Sequence, residues 1–274
     1  MILMAIKLIA VDLDGTLLTR SNTILPETAR TLQVASSQGI KVVLASGRPL
    51  SGVMPFASQL NLSGKDQYAV VFNGAVLQNL AGGILMNQEM DYQDFNTMLR
   101  LQRLARVNVH FETTECFWTC DHDLSVQMQI NAALTDNMLK VRHREEIPKD
   151  FKFNKVGFTC QKDDGQVEKL WNTLPYWAFD KYDIVKSLDT CIELNTKGAS
   201  KGNALMELAD RLKIEQTQVM VFGDQGNDIS MFENPNFKKM AMGNAISNIK
   251  EKADYITDDN NHNGIAKALK KFVL

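Results

Sequence analysis

Two aspartates one residue apart, Asp12 and Asp14, follow directly on the apolar run Leu8-Ile9-Ala10-Val11. Like charges sharing a site repel, so such a pair is costly unless a divalent cation, or a proton held on one of them, resolves the repulsion. Other polar residues also close apolar runs. Ser46 and Gly47 follow residues 40–45, Asn73 follows residues 69–72, and Asp224, Asn227 and Asp228 follow residues 219–222. Lys201 brings the opposite sign. It falls in the first turn of an expected helix, where a cation opposes the helix dipole. Gly198, Ser200 and Gly202 around it let backbone approach a ligand, and a helix N-terminus with an ammonium suits a phosphate. These residue types describe a metal-assisted carboxylate site.

The elements that must position them read as an α/β fold. Short continuous apolar runs bounded by turn residues are the pattern of strands buried on both faces of a parallel sheet. Residues 8–11, 40–45, 69–72 and 219–222 have this character, and residues 239–242 add a further strand. Pro26 suits the first turn of a helix that Gly39 ends, and Pro49 starts another. Ser200 is an expected cap for a helix burying Ala204, Leu205, Leu208, Ala209 and Leu212. In one parallel sheet the polar strand ends converge on one edge, where ligands bind. Residues 85–186 break this rhythm: helices at 91–106, 123–137 and 167–174 are interleaved with strands at 108–112, 116–119, 155–160 and 184–188. The expected architecture is a doubly wound parallel-sheet core of residues 1–85 and 188–274, interrupted by an α+β module of residues 86–187.

The chain has 274 residues, 45% apolar and 23% charged, with a formal net charge of −2. It can bury a core, and it has no global field to attract nucleic acid or an anionic membrane. No apolar stretch approaches the roughly 20 residues that span a bilayer. The first residues lack the cationic region and cleavage site of a signal peptide, and Met4 is an alternative start. Four cysteines in so long a chain make no disulfide framework, which fits a cytoplasmic protein. Cys116 and Cys120, near His122, lack the spacing and the second pair of a zinc site. The segment from Asp259 opens like a calcium-binding loop, yet its twelfth position is Lys270, not Glu, so calcium is rejected.

The motifs Asp12-Leu-Asp-Gly-Thr16, Ala45-Ser-Gly-Arg48, Ser200-Lys-Gly202 and Gly223-Asp-Gln-Gly-Asn-Asp228 occur in this order, with Phe72-Asn-Gly-Ala75 and Ala241-Met-Gly-Asn-Ala245 in support. By them the chain resembles the haloacid dehalogenase superfamily, in particular its Cof-like type IIB sugar-phosphate phosphatases. The resemblance implies a phosphatase of small phosphorylated metabolites working through an aspartyl-phosphate. Asp12 is then the nucleophile, and Asp14 the acid that protonates the departing alcohol and later the base that activates water. It implies Mg²⁺ held by the carboxylates of Asp12 and Asp224 and the main-chain carbonyl of Asp14, with Asp228 just outside. Ser46 and Lys201 would bind the phosphoryl oxygens, helped by Asn227 and the backbone N–H groups of Leu13 and Gly47. Arg48 either reaches the phosphate or pairs with an acid; Asn73 either contacts substrate or shapes its turn. The inserted module resembles a substrate-reading cap, with Asp121, His122 and Asp123 as candidate sugar contacts. A phosphomutase on the same scaffold and a non-catalytic phospho-ligand-binding protein remain the alternatives. Oligomeric state is not legible.

Overall fold

The computed structural model describes residues 5–160 and 165–274; the alternative start at Met4 lies outside them. The chain forms two compact units, one of residues 1–86 and 200–274, the other of residues 87–199. In chain order the first unit opens with β1 (Leu8–Asp12), α1 (Pro26–Ser37), β2 (Lys41–Ala45), α2 (Leu50–Gln59), β3 (Tyr68–Val71), β4 (Val76–Asn79) and β5 (Ile84–Asn87). The second unit comprises α3 (Tyr92–Ala105), β6 (Asn108–Glu112), β7 (Cys116–Thr119), α4 (Val126–Leu134), β8 (Met138–Val141), β9 (Lys155–Thr159), α5 (Gln166–Thr173), α6 (Tyr176–Lys181), β10 (Tyr182–Leu188) and β11 (Cys191–Thr196). The chain then returns through α7 (Lys201–Leu212), β12 (Val219–Gly223), α8 (Ile229–Glu233), β13 (Lys238–Ala241), α9 (Ser247–Lys252), β14 (Tyr255–Ile256) and α10 (Gly264–Phe272).

The first unit is built on one sheet of order β14-β13-β12-β1-β2-β3-β4-β5. From β14 to β3 every pairing is parallel. β1 is the switch point: the chain runs outward on one side through β2 and β3, and later on the other through β12, β13 and β14. All five residues of β1 and of β12 are buried, which explains their unbroken apolar runs. The parallel pattern stops at β4, which hairpins back antiparallel onto β3.

The second unit carries a sheet of order β10-β11-β9-β6-β7-β8. The sequence expectation ended this unit at residue 187, but β11 pairs antiparallel with both β10 and β9. Its burial pattern resembles that of a strand in either unit, so only its partners reveal its allegiance. Side chains alternate across this sheet. Val109, Phe111, Val156, Phe158, Ile192 and Leu194 enter an apolar core with α3 and α5, while His110, Glu112, Lys155 and Glu193 occupy the opposite face. There Lys155 Nζ lies 3.1 Å from Glu112 Oε1 and 2.8 Å from Glu193 Oε1, and His110 Nε2 lies 3.2 Å from Glu112 Oε1. Burial alone would raise the Glu112 carboxyl, but the charge of Lys155 and the His110 hydrogen bond outweigh it and hold it below its ordinary value. Asp121 is also spent within this unit: its carboxylate accepts from Gln102 Nε2 at 2.5 Å and from the Val109 N–H at 2.7 Å. This disfavours Asp121 as a sugar contact.

Removing one partner of a buried ion pair leaves the other charge uncompensated, at a cost of about 3–5 kcal/mol. Lys155→Ala is therefore expected to destabilise the second unit by about that amount, read by denaturant unfolding followed through the unit's tryptophans.

Candidate active site

Strand register brings the predicted residues together. Asp12 is level with Ala45 of β2, so Ser46 begins the next loop. Val11 is level with Phe222 of β12, which puts Asp224 just beyond the neighbouring strand end. Leu13 takes no part through its side chain, which is fully buried in the core. Its carbonyl accepts from the N–H groups of Thr16 and Leu18 and closes the turn after β1.

Lys201 enters this strand edge from α7. Ser200 caps the helix, its side chain accepting from the Asn203 N–H at 3.2 Å. Gly202 lets the helix start press against α8: a Cβ there would lie 2.3 Å from the Ser230 carbonyl oxygen. The ammonium is fully buried and donates to Asp12 Oδ1 at 2.6 Å and to Asp228 Oδ1 at 2.7 Å. Burial would lower the lysine pKa, but these two carboxylates reverse the effect and hold it above its ordinary value. The other oxygen of Asp228 accepts from the backbone N–H groups of Asp224 and Gln225, at 2.9 and 3.1 Å. Asp228 thus ties the loop after β12 to Lys201.

Carboxylate oxygens of Asp12, Asp224 and Asp228 lie within 4.8 Å of one another. One ammonium faces three acids, and the imbalance registers on two of them. Burial, then the charge of Asp228, pushes Asp12 well above the usual carboxylate range, with Lys201 opposing. The same two causes lift Asp224 to about 7, against the pull of a hydrogen bond from Thr16. Clustered hard oxygen donors with surplus negative charge fit a divalent cation.

Two residues that hold Asp224 carried no role in the sequence reading. Thr16 Oγ1 donates to Asp224 Oδ1 at 2.8 Å. Asn244 Nδ2 donates to the Gly15 carbonyl at 2.8 Å and to Asp224 Oδ2 at 3.3 Å. Their signal was their place in the D-x-D-G-T and M-G-N-A runs. Gly15, at φ +85°, is required here, because a Cβ would lie 2.4 Å from Asp224 Oδ2.

The loop after β2 supplies donors. Ser46 is buried and its Oγ accepts from the Arg48 N–H at 3.1 Å, which leaves its hydroxyl proton to donate elsewhere. Asn73 accepts from Asn227 Nδ2 at 3.2 Å, and a Cβ on Gly47 would lie 2.8 Å from Asn73 Oδ1. Asn227 is thereby engaged with a neighbouring loop. The Asp14 carboxylate is paired with Arg48. Among the described residues, Cys116 and Cys120 join no metal-binding group, and all four cysteines are free.

A sheet edge at a switch point, carrying clustered carboxylates and a buried lysine, is equipped for phosphoryl chemistry. The comparisons agree. The profile of haloacid dehalogenase-like hydrolases matches residues 9–269. The candidate phosphatase YxeH of Bacillus subtilis is 34% identical over 269 residues, covering 98% of each chain. The 5-amino-6-(5-phospho-D-ribitylamino)uracil phosphatase YcsE of the same organism is 30% identical over 98% of this chain and 96% of its own. A solved haloacid dehalogenase-like hydrolase from Bacteroides thetaiotaomicron matches at a TM-score of 0.85 and 26% identity, over 97% of this chain and 99% of that one. The chain belongs to the haloacid dehalogenase-like hydrolase family, and it is a hydrolase of the phosphatase class.

The free Asp224 carboxyl titrates near 3.8 and the folded one at about 7, so between these values the folded state holds a proton that unfolding releases. Without divalent cations, stability is expected to fall as pH rises from about 4 to about 7. Thermal melts across this range should show the decline, and Asp224→Asn should lessen it, the remainder coming from Asp12, which burial and Asp228 also raise.

Proposed function

We propose that this enzyme is a Mg²⁺-dependent phosphatase of small phosphorylated metabolites, sugar and sugar-alcohol phosphates foremost, acting through an aspartyl-phosphate on Asp12. The observation that carries this reading is the buried Lys201 ammonium shared by Asp12 and Asp228. It aligns a carboxylate that water would otherwise solvate, and alignment provides much of the advantage of a weak nucleophile. Asp12 attacks phosphorus and the ester P–O bond breaks. Asp14 gives a proton to the departing alcohol, then takes one from the water that hydrolyses the aspartyl-phosphate. Lys201, the Ser46 hydroxyl and the backbone N–H groups of Leu13 and Gly47 bind the phosphoryl oxygens, whose charge grows in the transition state. Asn227 borders this donor set.

The carboxylates of Asp12 and Asp224 and the main-chain carbonyl of Asp14 would hold Mg²⁺, with Asp228 supporting from beside them. When bound, the ion would supply positive charge that lets carboxylate and phosphate approach each other. The substrate class draws on YcsE, whose name specifies a phosphate on a ribityl chain. The inserted unit is assigned the choice of leaving group. The free thiols are in keeping with a reducing cytoplasm.

A screen of phosphorylated metabolites with and without Mg²⁺ tests this reading. Turnover should require the ion, favour sugar phosphates, and fall on the order of 10⁴-fold or more in Asp12→Asn while the thermal melt persists. Wild-type-like phosphate release by that variant would sink the mechanism.

A further inference from the structure

Arg48 is more buried than the group it holds. Its side chain is 11% exposed, whereas that of Asp14 is 61% exposed. The guanidinium approaches the face of Phe56 in α2, its carbon 5.5 Å from the ring centroid, and the Arg48 backbone N–H is bonded to Ser46. From this anchored position it forks onto Asp14, with Nε donating to Oδ2 at 2.9 Å and Nη2 to Oδ1 at 2.5 Å. Nη2 also donates to Asn22 Oδ1 at 3.1 Å. One side chain therefore ties two parts of the loop after β1, at Asp14 and Asn22, to the loop after β2. A carboxylate on an exposed turn has several rotamers; a two-point arginine pair selects one. The pair occupies one acceptor position on each oxygen and leaves the others open.

We propose that Arg48 positions Asp14 for the hydrolytic half-reaction, the attack of water on the aspartyl-phosphate. This rests on the reading of Asp12 as nucleophile and Asp14 as acid–base group. In that step water loses a proton to the Asp14 carboxylate, its oxygen bonds to phosphorus, and the P–O bond to Asp12 breaks. Inorganic phosphate leaves and Asp12 returns as a carboxylate. The arginine-paired, acceptor-only form of Asp14 is the form this step needs. Arg48 is a positioning residue: it acts on the reaction through Asp14.

The test is rapid mixing with 4-nitrophenyl phosphate, whose leaving group departs as a stable anion and needs no acid. In Arg48→Ala, formation of the aspartyl-phosphate should persist while its hydrolysis slows. A stoichiometric burst of 4-nitrophenolate should precede a steady state slowed by about 10²-fold, with inhibition by inorganic phosphate unchanged. Arg48→Lys, which keeps the charge but loses the fork, should show the same burst with a smaller slowing; it carries the comparison should Arg48→Ala fail to fold. Asp14→Asn is the reference. If it gives no burst, the underlying reading of Asp14 is wrong. If it bursts and the Arg48 variants do not, the proposal alone fails. Wild-type kinetics in the Arg48 variants would also overturn it. So would a burst-free loss with weakened phosphate inhibition, which would assign Arg48 to phosphate binding through Nη1, a buried nitrogen without a hydrogen-bond partner among the described residues.

Discussion

The first unit is organised around an ammonium that has no contact with solvent. Lys201 can be buried only because Asp12 and Asp228 both accept from it, and this requirement fixes several elements together. Asp12 ends the central strand, Asp228 closes the turn after β12, and α7 must begin close enough for its first residue to reach both. The glycine at position 202 and the serine cap at 200 serve that approach. Losing the lysine would leave two buried carboxylates facing each other, so the same contact that fixes the Asp12 carboxylate also holds three segments of the core in place.

The two units treat buried charge differently. In the second, Glu112 and Glu193 meet Lys155 and His110, and Glu112 is held below its ordinary pKa although burial pushes the other way. Attraction wins, and the network behaves as a structural strut. In the first, three acids share one lysine, and Asp12 and Asp224 are both raised. Repulsion and desolvation win there. A network short of positive charge is poorly suited to a purely structural role and well suited to taking up a cation and a phosphate, since local charge imbalance at a cleft marks a functional site.

Legibility followed the range of the interactions. The strands at 8–12, 41–45 and 219–223 were readable because complete burial writes itself as a continuous apolar run. The helix at 201–212 was readable from its serine cap and its spacing of Ala204, Leu205 and Leu208. Strand 191–196 was assigned to the wrong unit, because its alternation is local while its partners, residues 155–159 and 182–188, are not. Thr16 and Asn244 were quoted within motifs yet given no task, since their bonds to Asp224 cross more than 200 residues in one case and reverse a loop in the other. The sheet's antiparallel edge after Gly74 was likewise invisible, because a hairpin and a crossover can leave similar short apolar strands.

Residue type and order in the chain were enough to suggest the chemistry: carboxylates and a hydroxyl at successive strand ends with an ammonium at a helix start suit a phosphate, and the order of the motifs carried the family resemblance. Partner choice came from folding. Arg48 had two possible acceptors in the sequence reading, and its bidentate contact with Asp14 is made with the guanidinium over Phe56 and the backbone N–H on Ser46. Asp121 had the look of a ligand contact, and is consumed instead by Gln102 and a backbone N–H. Composition decides which bonds a side chain can make; only the packed chain decides which partner stands within 3 Å.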